Sequence, residues 1–354
     1  MKIQSVIIAA LCAFSLTPVG VHANAPEYAV QVLGTLGGND SIGIGINYSG
    51  HVVGSSFITG NFSYHAFLYS GVTMSDLGTF GGTYSSATGV NDADQVAGWA
   101  YTGTLAYYHA FAFSNGTKTD LGTFGGDYSI ASGINNSGEV VGYATTGAGN
   151  AVTHAFLYSG GILNDLGSIL GSGSSNALGI NDAGQIVGEA QTNTGDYHAF
   201  LRSGGSNTDL GTLGGIDSHA FGINNAGQVV GRSTLSGDPA TAASHAFFYD
   251  AGTMIDLGTL GGSFSEAYDI NSAGEIVGNS LTAGDASTHG FVYTGGIMRD
   301  LNSLVPQNLG ITNITTRIGS PINELGQIAA SGTIGVIPAR FFLRLRPNPR
   351  VCCC

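Results

Sequence analysis

Cysteine is absent between Cys12 and Cys352. A disulfide framework is therefore excluded from the body of the chain. Charge is also scarce: Asp, Glu, Lys and Arg together make up 9% of the residues. Lys2 and Lys118 are the only lysines, and ten Lys/Arg face 23 Asp/Glu. With no basic stripe, neutralisation of a nucleic-acid backbone is excluded, and anionic membranes are disfavoured for the same reason. Gly and Asn interrupt every apolar run, so no transmembrane segment of ~20 residues is present. Helical periodicity is missing too, and 58 glycines would undermine helices in any case. There is no Gly-x-Ser-x-Gly elbow and no His-Glu-x-x-His, so no catalytic residue is assigned from motifs.

The ends read as processing and tail segments. Lys2, the apolar stretch from Val6 to Leu16, and Val21-His22-Ala23 have the order of a secretory signal peptide over residues 1–23. Its removal takes away Lys2 and leaves nine basic against 23 acidic side chains, a net charge of −14. Residues 24–346 are expected to form one domain, exported and secreted or held at the cell surface. Residues 347–354 are expected to be a disordered tail ending in Cys352-Cys353-Cys354. Intermolecular disulfides or metal capture by that triplet are the alternative.

What is present is a repeat. An Ile/Val-Asn-x-x-Gly turn recurs at Asn47, Asn91, Asn135, Asn181, Asn224 and Asn271, with Asp94 in place of Gly in the second copy. The seventh, at Asn323, follows Ile322, and the steps are 44, 44, 46, 43, 47 and 52 residues. His-Ala/Gly-Phe recurs at His65, His109, His154, His198, His245 and His289, with Ala339-Arg340-Phe341 in the seventh place. An Asp-Leu-Gly element starts at Asp76, Asp120, Asp165, Asp209 and Asp256, and persists in degraded form at Asp300.

Each copy reads as two hairpins, hence one four-stranded antiparallel sheet. Seven such sheets suit an all-β, seven-bladed β-propeller. The two ends are complementary. Tyr28 to Leu33 matches only a fourth strand, and Arg340 to Leu345 only a third. Pairing them would close the ring and remove two open edges. A solenoid would need capping ends instead.

His-Ala-Phe, Gly-Ile-Asn-x-x-Gly-x-Val-Val-Gly and Asp-Leu-Gly-Thr-Leu-Gly-Gly, in fixed order over residues 28–346, resemble the HAF family of probable extracellular repeat proteins. The seventh copy departs from the pattern, with Ala339-Arg340 for His-Ala and Leu304-Val305-Pro306 interrupting the Gly-Gly turn. The resemblance implies an exported bacterial repeat protein. It implies no substrate and no catalytic residues.

Candidate residues fall into three groups. The six repeated histidines could ring the axis and hold metal. The better reading is structural: each His opens a third strand whose hairpin partner carries the Asp, so a His–Asp hydrogen bond could brace each blade. No metal site and no cofactor is assigned. Calcium at Asn91-Asp92-Ala93-Asp94 is the weak exception, since this run supplies too few oxygens. The repeated asparagines are accounted for by their turn position. Gly-rich Gly-Thr-x-Gly-Gly segments lack a following Gly-Lys-Ser/Thr, and read as tight crossovers rather than nucleotide loops. Glu189 and Glu266 stand as isolated acids. His51 and His219, outside the repeat, are expected at turn or strand surfaces.

The connection between second and third strands varies most. It is read as Phe57–Tyr64, Trp99–Tyr108, Tyr143–Thr153, Glu189–Tyr197, Arg232–Ser244 and Asn279–Thr288, on the same face as the crossovers. Trp99, Tyr101, Tyr107, Tyr108, Tyr143 and Tyr197 are its ligand-binding candidates, since aromatic rings with polar neighbours suit a carbohydrate or a protein partner. Packing of these rings against adjacent loops is the alternative. The leading expectation is a non-catalytic binding scaffold. An extracellular hydrolase or lyase acting on a polymer, or a structural surface component, are the rivals. A cluster of buried, non-repeated acids or histidines on one side of the ring would favour the enzyme.

Overall fold

The computed structural model describes residues 28–103, 107–147, 149–236, 243–334 and 337–345. The expected signal peptide and the cysteine tail lie outside these residues. Strand β1 (Tyr28–Val32) precedes the first set: β2 (Gly37–Ile46), β3 (Val52–Ile58), β4 (Tyr64–Tyr69) and β5 (Met74–Gly78). The second comprises β6 (Gly81–Val90), β7 (Val96–Thr102), β8 (Tyr108–Ser114) and β9 (Thr117–Gly122). The third comprises β10 (Gly125–Ile134), β11 (Val140–Thr146), β12 (Val152–Ser159) and β13 (Ile162–Gly167). The fourth has β14 (Ser175–Ile180), β15 (Ile186–Gln191), β16 (Tyr197–Ser203) and β17 (Ser206–Asp209). The fifth has β18 (Gly214–Ile223), β19 (Val229–Leu235), β20 (Ser244–Asp250) and β21 (Thr253–Asp256). The sixth has β22 (Gly261–Ile270), β23 (Ile276–Thr282), β24 (Thr288–Thr294) and β25 (Ile297–Asp300). The last has β26 (Ile311–Thr315), β27 (Ile328–Ile334) and β28 (Ile337–Leu345). Its fourth strand is β1, paired antiparallel with β28 from Tyr28↔Leu345 to Val32↔Phe341. The protein is an all-β propeller whose strands pair as seven antiparallel four-stranded sets. Single parallel pairings such as Tyr64↔Tyr84 stitch some neighbouring sets together.

The repeated motifs are the joints of this architecture. In His-Ala-Phe the Phe is fully buried between sets, as at Phe67, Phe111, Phe156, Phe200, Phe247 and Phe291. The Ala N–H of one set donates to a buried Ser Oγ of the next, for example Ala66 to Ser85 and Ala110 to Ser129, both at 2.8 Å. Ser85 Oγ in turn donates to the Gly78 carbonyl at 2.7 Å. The His Nδ1 lies 2.7–3.0 Å from the carboxylate of its hairpin-partner Asp in all six sets that carry the motif. That same carboxylate accepts the N–H two residues on, as Asp76 does from Gly78 at 2.7 Å. The histidines stand on third strands, not beside the axis.

Glycine is forced at one strand position. The first strand bulges between Gly43 and Gly45, and a Cβ on Gly54 would lie 1.8 Å from the Ile42 carbonyl oxygen. The first strands approach their neighbours most closely: a Cβ on Gly45 would sit 3.4 Å from the Gly89 Cα.

The turn asparagines do more than form turns, which corrects the sequence reading. Asn47 Nδ2 donates to the Asn91 carbonyl, Asn91 to Asn135, Asn135 to Asn181, and Asn181 to Asn224. Asn224 then donates to Asn271, Asn271 to Asn323, and Asn323 back to Asn47. The seven contacts form a closed cycle of 2.7–3.2 Å hydrogen bonds. Asn91 Oδ1 also accepts from the Ala93 and Gln95 N–H groups, and its Nδ2 donates to Gln95 Oε1. Every hydrogen-bonding site of that buried amide is thus used. Asp92 and Asp94, weighed above for calcium, face neighbouring turns. Asp92 accepts the Tyr48 N–H, and Asp94 accepts from Asn47 Nδ2 and meets His51 Nδ1 at 2.7 Å.

Candidate functional site

The irregular residues fall into two columns. One lies five residues before the turn Asn and the other eight after it. Register pairs the columns across the first two strands: Ile42↔Ser55, Ser86↔Trp99, Ile130↔Tyr143, Asn176↔Glu189, His219↔Arg232 and Glu266↔Asn279. Opposed residues of an antiparallel pair share one sheet face. The two columns therefore form one level around the propeller, on the side of the second-to-third-strand connections and the crossovers. That shared side is fixed by bonds such as Asn61 Oδ1 accepting the Asn39 N–H at 2.7 Å.

A cavity of about 550 Å³ opens at this level. Phe57, Tyr64, Trp99 and Tyr268 supply rings to its wall, and Asp40, Ser55, Ser86 and Arg317 supply polar groups. Arg317 arrives by an insertion. Thr315 pairs with Ser331, yet eight residues separate it from Asn323, where five separate Ile42 from Asn47. The extra residues carry Arg317 and Ile318 to the cavity. This insertion accounts for part of the long final repeat, and the rest lies between Asp300 and Thr315, where the turns Leu301–Ser303 and Gln307–Leu309 precede β26.

Two aromatic tracts flank the opening. In the first, Tyr64 contacts Tyr84 at 4.7 Å between centroids and Trp99 at 6.3 Å. Trp99 continues to Tyr101 and Tyr108, and Tyr108 stacks on Tyr128 at 5.3 Å. In the second, Tyr197, His219, Phe221 and Tyr268 follow one another at 5.9–6.4 Å. Burial raises the Tyr64 and Tyr108 pKa values, with neighbouring tyrosines adding to the effect. Burial pushes Tyr143 up to about 12, so its phenol stays protonated at neutral pH.

The placement of the aromatic candidates corrects the loop reading. Trp99 and Tyr101 lie within β7, Tyr108 and Tyr197 open β8 and β16, and Tyr143 lies within β11. Only Tyr107 lies in a connection, 40% exposed. The reason is ladder length: second and third strands stay paired out to Tyr101↔Tyr108, so the true connections are short. The rings pack against one another across strands, and Trp99 and Tyr64 also reach the cavity.

The acids and histidines outside the repeat are corrected as well. Glu189 is not isolated and His219 is not a surface residue: Glu189 Oε2 bonds His219 Nδ1, and both side chains are about four-fifths buried. Asn176 Nδ2 donates to Glu189 Oε1 at 2.8 Å. Burial alone would raise the Glu189 pKa, but the His219 hydrogen bond and charge, Asn176 and the Arg232 charge hold it below the usual range. Glu266 accepts the Tyr268 hydroxyl, which also accepts from Asn279 Nδ2 at 3.1 Å. Sequence reasoning missed Asp269, which stands where five other copies have Gly. Its carboxylate accepts the Ile270 and Ile322 N–H groups, and burial pushes its pKa up to about 8. Among the described residues no group of three or more His, Cys, Asp or Glu is placed to hold a metal.

The geometry defines a propeller with an asymmetric, aromatic-lined mouth. No protein-family model and no curated protein matches the sequence. Solved structures do match the fold. The β-propeller domain of the trilobed protease from Pyrococcus furiosus, described as having an open velcro topology, is similar with a TM-score of 0.54 at 7% identity, over 86% of this chain and 92% of that one. Pyrococcus horikoshii acylaminoacyl peptidase matches with a TM-score of 0.53 at 9% identity, over 86% of this chain and 51% of that one. At such identities the likeness is one of fold alone.

Proposed function

We propose that this protein is an exported binding scaffold of the HAF repeat type that holds a saccharide at the asymmetric mouth. The carrying observation is the cavity of about 550 Å³, where the rings of Tyr64 and Trp99 stand beside Asp40, Ser55, Ser86 and Arg317. Sugars present apolar C–H faces and polar edges, and this wall offers partners to both. The rest of the ring is built from repeated joints, so divergence at this level is free of the demands of the fold. The leader-like order of Lys2, Val6 to Leu16 and Val21-His22-Ala23 supports export.

The test is a glycan array probed with the purified full chain, with and without calcium. Specific binding that falls at least tenfold in Trp99→Ala and Tyr64→Ala, with unchanged melting, is the expected result. An array without a hit in either buffer would overturn the saccharide reading and leave a protein ligand. A hit that both variants retain would move the site elsewhere. Glu189 and His219, paired within the variable columns, favour a catalytic extension of this reading.

A further inference from the structure

Eight His–carboxylate pairs exist among the described residues. Six brace the hairpin of the third and fourth strands. His51–Asp94 joins two turns at the opposite end. Glu189–His219 is different in place and in partners. It lies in the same two columns, bridging the fourth and fifth sets, whereas the lining of the cavity of about 550 Å³ comes from the first, second, sixth and seventh sets. The fold does not call for it, because other sets keep the same register with Ile42↔Ser55 or Ser86↔Trp99.

Its geometry is that of an oriented base. Glu189 engages Nδ1, which fixes the tautomer and leaves the Nε2 lone pair available. No described residue bonds Nε2. The imidazole lies near-parallel to Tyr197 and Phe221, at 19° and 5°, with ring centroids 6.4 Å away in each case. Asn176 and the Arg232 charge keep Glu189 ionised, ready to stabilise an imidazolium.

We propose that His219, oriented by Glu189, is a general base that hydrolyses an acyl ester on a ligand bound at this level of the ring. The identity of that ligand as an O-acylated saccharide rests on the saccharide reading; the ester chemistry does not. Nε2 takes a proton from water as the water oxygen bonds to the acyl carbon. The carbonyl electron pair moves onto its oxygen. Collapse re-forms the carbonyl and breaks the bond to the alcohol oxygen. The imidazolium returns its proton to that leaving oxygen, giving a carboxylic acid and a free hydroxyl.

The experiment uses the full chain with p-nitrophenyl acetate and, separately, an acetylated oligosaccharide. Hydrolysis well above buffer is expected, falling at least about 100-fold in kcat/KM in His219→Gln and less in Glu189→Gln. His109→Gln, which removes a bracing histidine, should keep the parent rate. A solvent deuterium isotope effect of about two or more should accompany the parent reaction and vanish in His219→Gln. No hydrolysis by the parent, or equal rates in parent and His219→Gln, would overturn the proposal and leave the pair as a tether between sets. Hydrolysis of the small ester without any glycan binding would overturn only the saccharide reading.

Discussion

Asn323 Nδ2 donates to the Asn47 carbonyl at 2.7 Å, joining residues 276 apart in sequence. It is the last link of a cycle whose other six links run between successive repeats. Each link connects one set to the next at the same level. A closed cycle restrains every set from two sides, so the loss of one link is felt by two sets.

Two variants separate the turn from the link. Asn224→Ala removes a buried amide and leaves the Ala226 and Gln228 N–H groups without their acceptor. A loss of about 2–3 kcal/mol is expected in urea unfolding. Asn224→Asp keeps the acceptor oxygen and suits the turn equally well. It also sets a carboxylate against the Asn271 carbonyl and Gln228 Oε1. If donation between sets matters, Asp is as damaging as Ala. A near-neutral Asp variant would show that the turn alone is being stabilised.

Closure at the chain ends gives a second outcome. Removing residues 27–34 deletes β1 and bares the outer edge of β28, including its pairing at Leu343. An open strand edge recruits other chains. The truncated protein is expected to melt earlier and to show concentration-dependent association in light scattering. A truncated chain that stays monomeric with an unchanged melting curve would mean that β1 is dispensable for closure.

The propeller was legible because its joints recur. Turn Asn, His-Ala-Phe and Asp-Leu-Gly each serve the same bonds in nearly every set, and the unlike ends announced their pairing. What escaped was long-range. Glu189 and His219 are 30 residues apart, in neighbouring sets, and no local spacing links them. Aligning the copies on the turn Asn would have exposed them, since both stand in the columns where Ile, Ser, Trp, Tyr and Arg alternate without pattern. Trp99 and Tyr143 were assigned to loops because aromatic variability was read as loop variability. Here it belongs to strand positions, of which Trp99 lines the cavity.

Asp269 predicts a pH dependence. Its ordinary carboxylate value is 3.8 and burial raises it to about 8 in the fold, with Glu324 adding repulsion and the Ile322 and Ile270 N–H groups opposing it. Between these values the folded state holds a proton that the unfolded state has lost. Stability therefore falls as pH rises, by at most about 1.4 kcal/mol per unit. Asn mimics the neutral acid. Asp269→Asn should match the parent near pH 4 and exceed it in unfolding midpoint at pH 8.5. Parallel pH profiles for the two proteins would refute this.

Lys118 occupies a slot that is apolar in four of the five other copies and Asn207 in the fifth. Two residues before the repeated Asp stand Met74, Leu163, Met254 and Met298, each packed against a core cluster. Lys118 instead sends Nζ to the Leu77 carbonyl at 2.9 Å and over the Phe80 ring at 4.7 Å. Burial lowers its pKa to about 8, against an opposing pull from Asp76. Between pH 8 and its ordinary 10.5 the unfolded chain binds more protons, so stability rises with pH across that window. Lys118→Met fills the slot without a buried charge and leaves only the Leu77 carbonyl to find another partner. A gain of about 1 kcal/mol at pH 7 is expected in chemical denaturation, shrinking as pH approaches 10. A loss at pH 7 would show that the Leu77 bond and the ring contacts outweigh the cost of burying the ammonium.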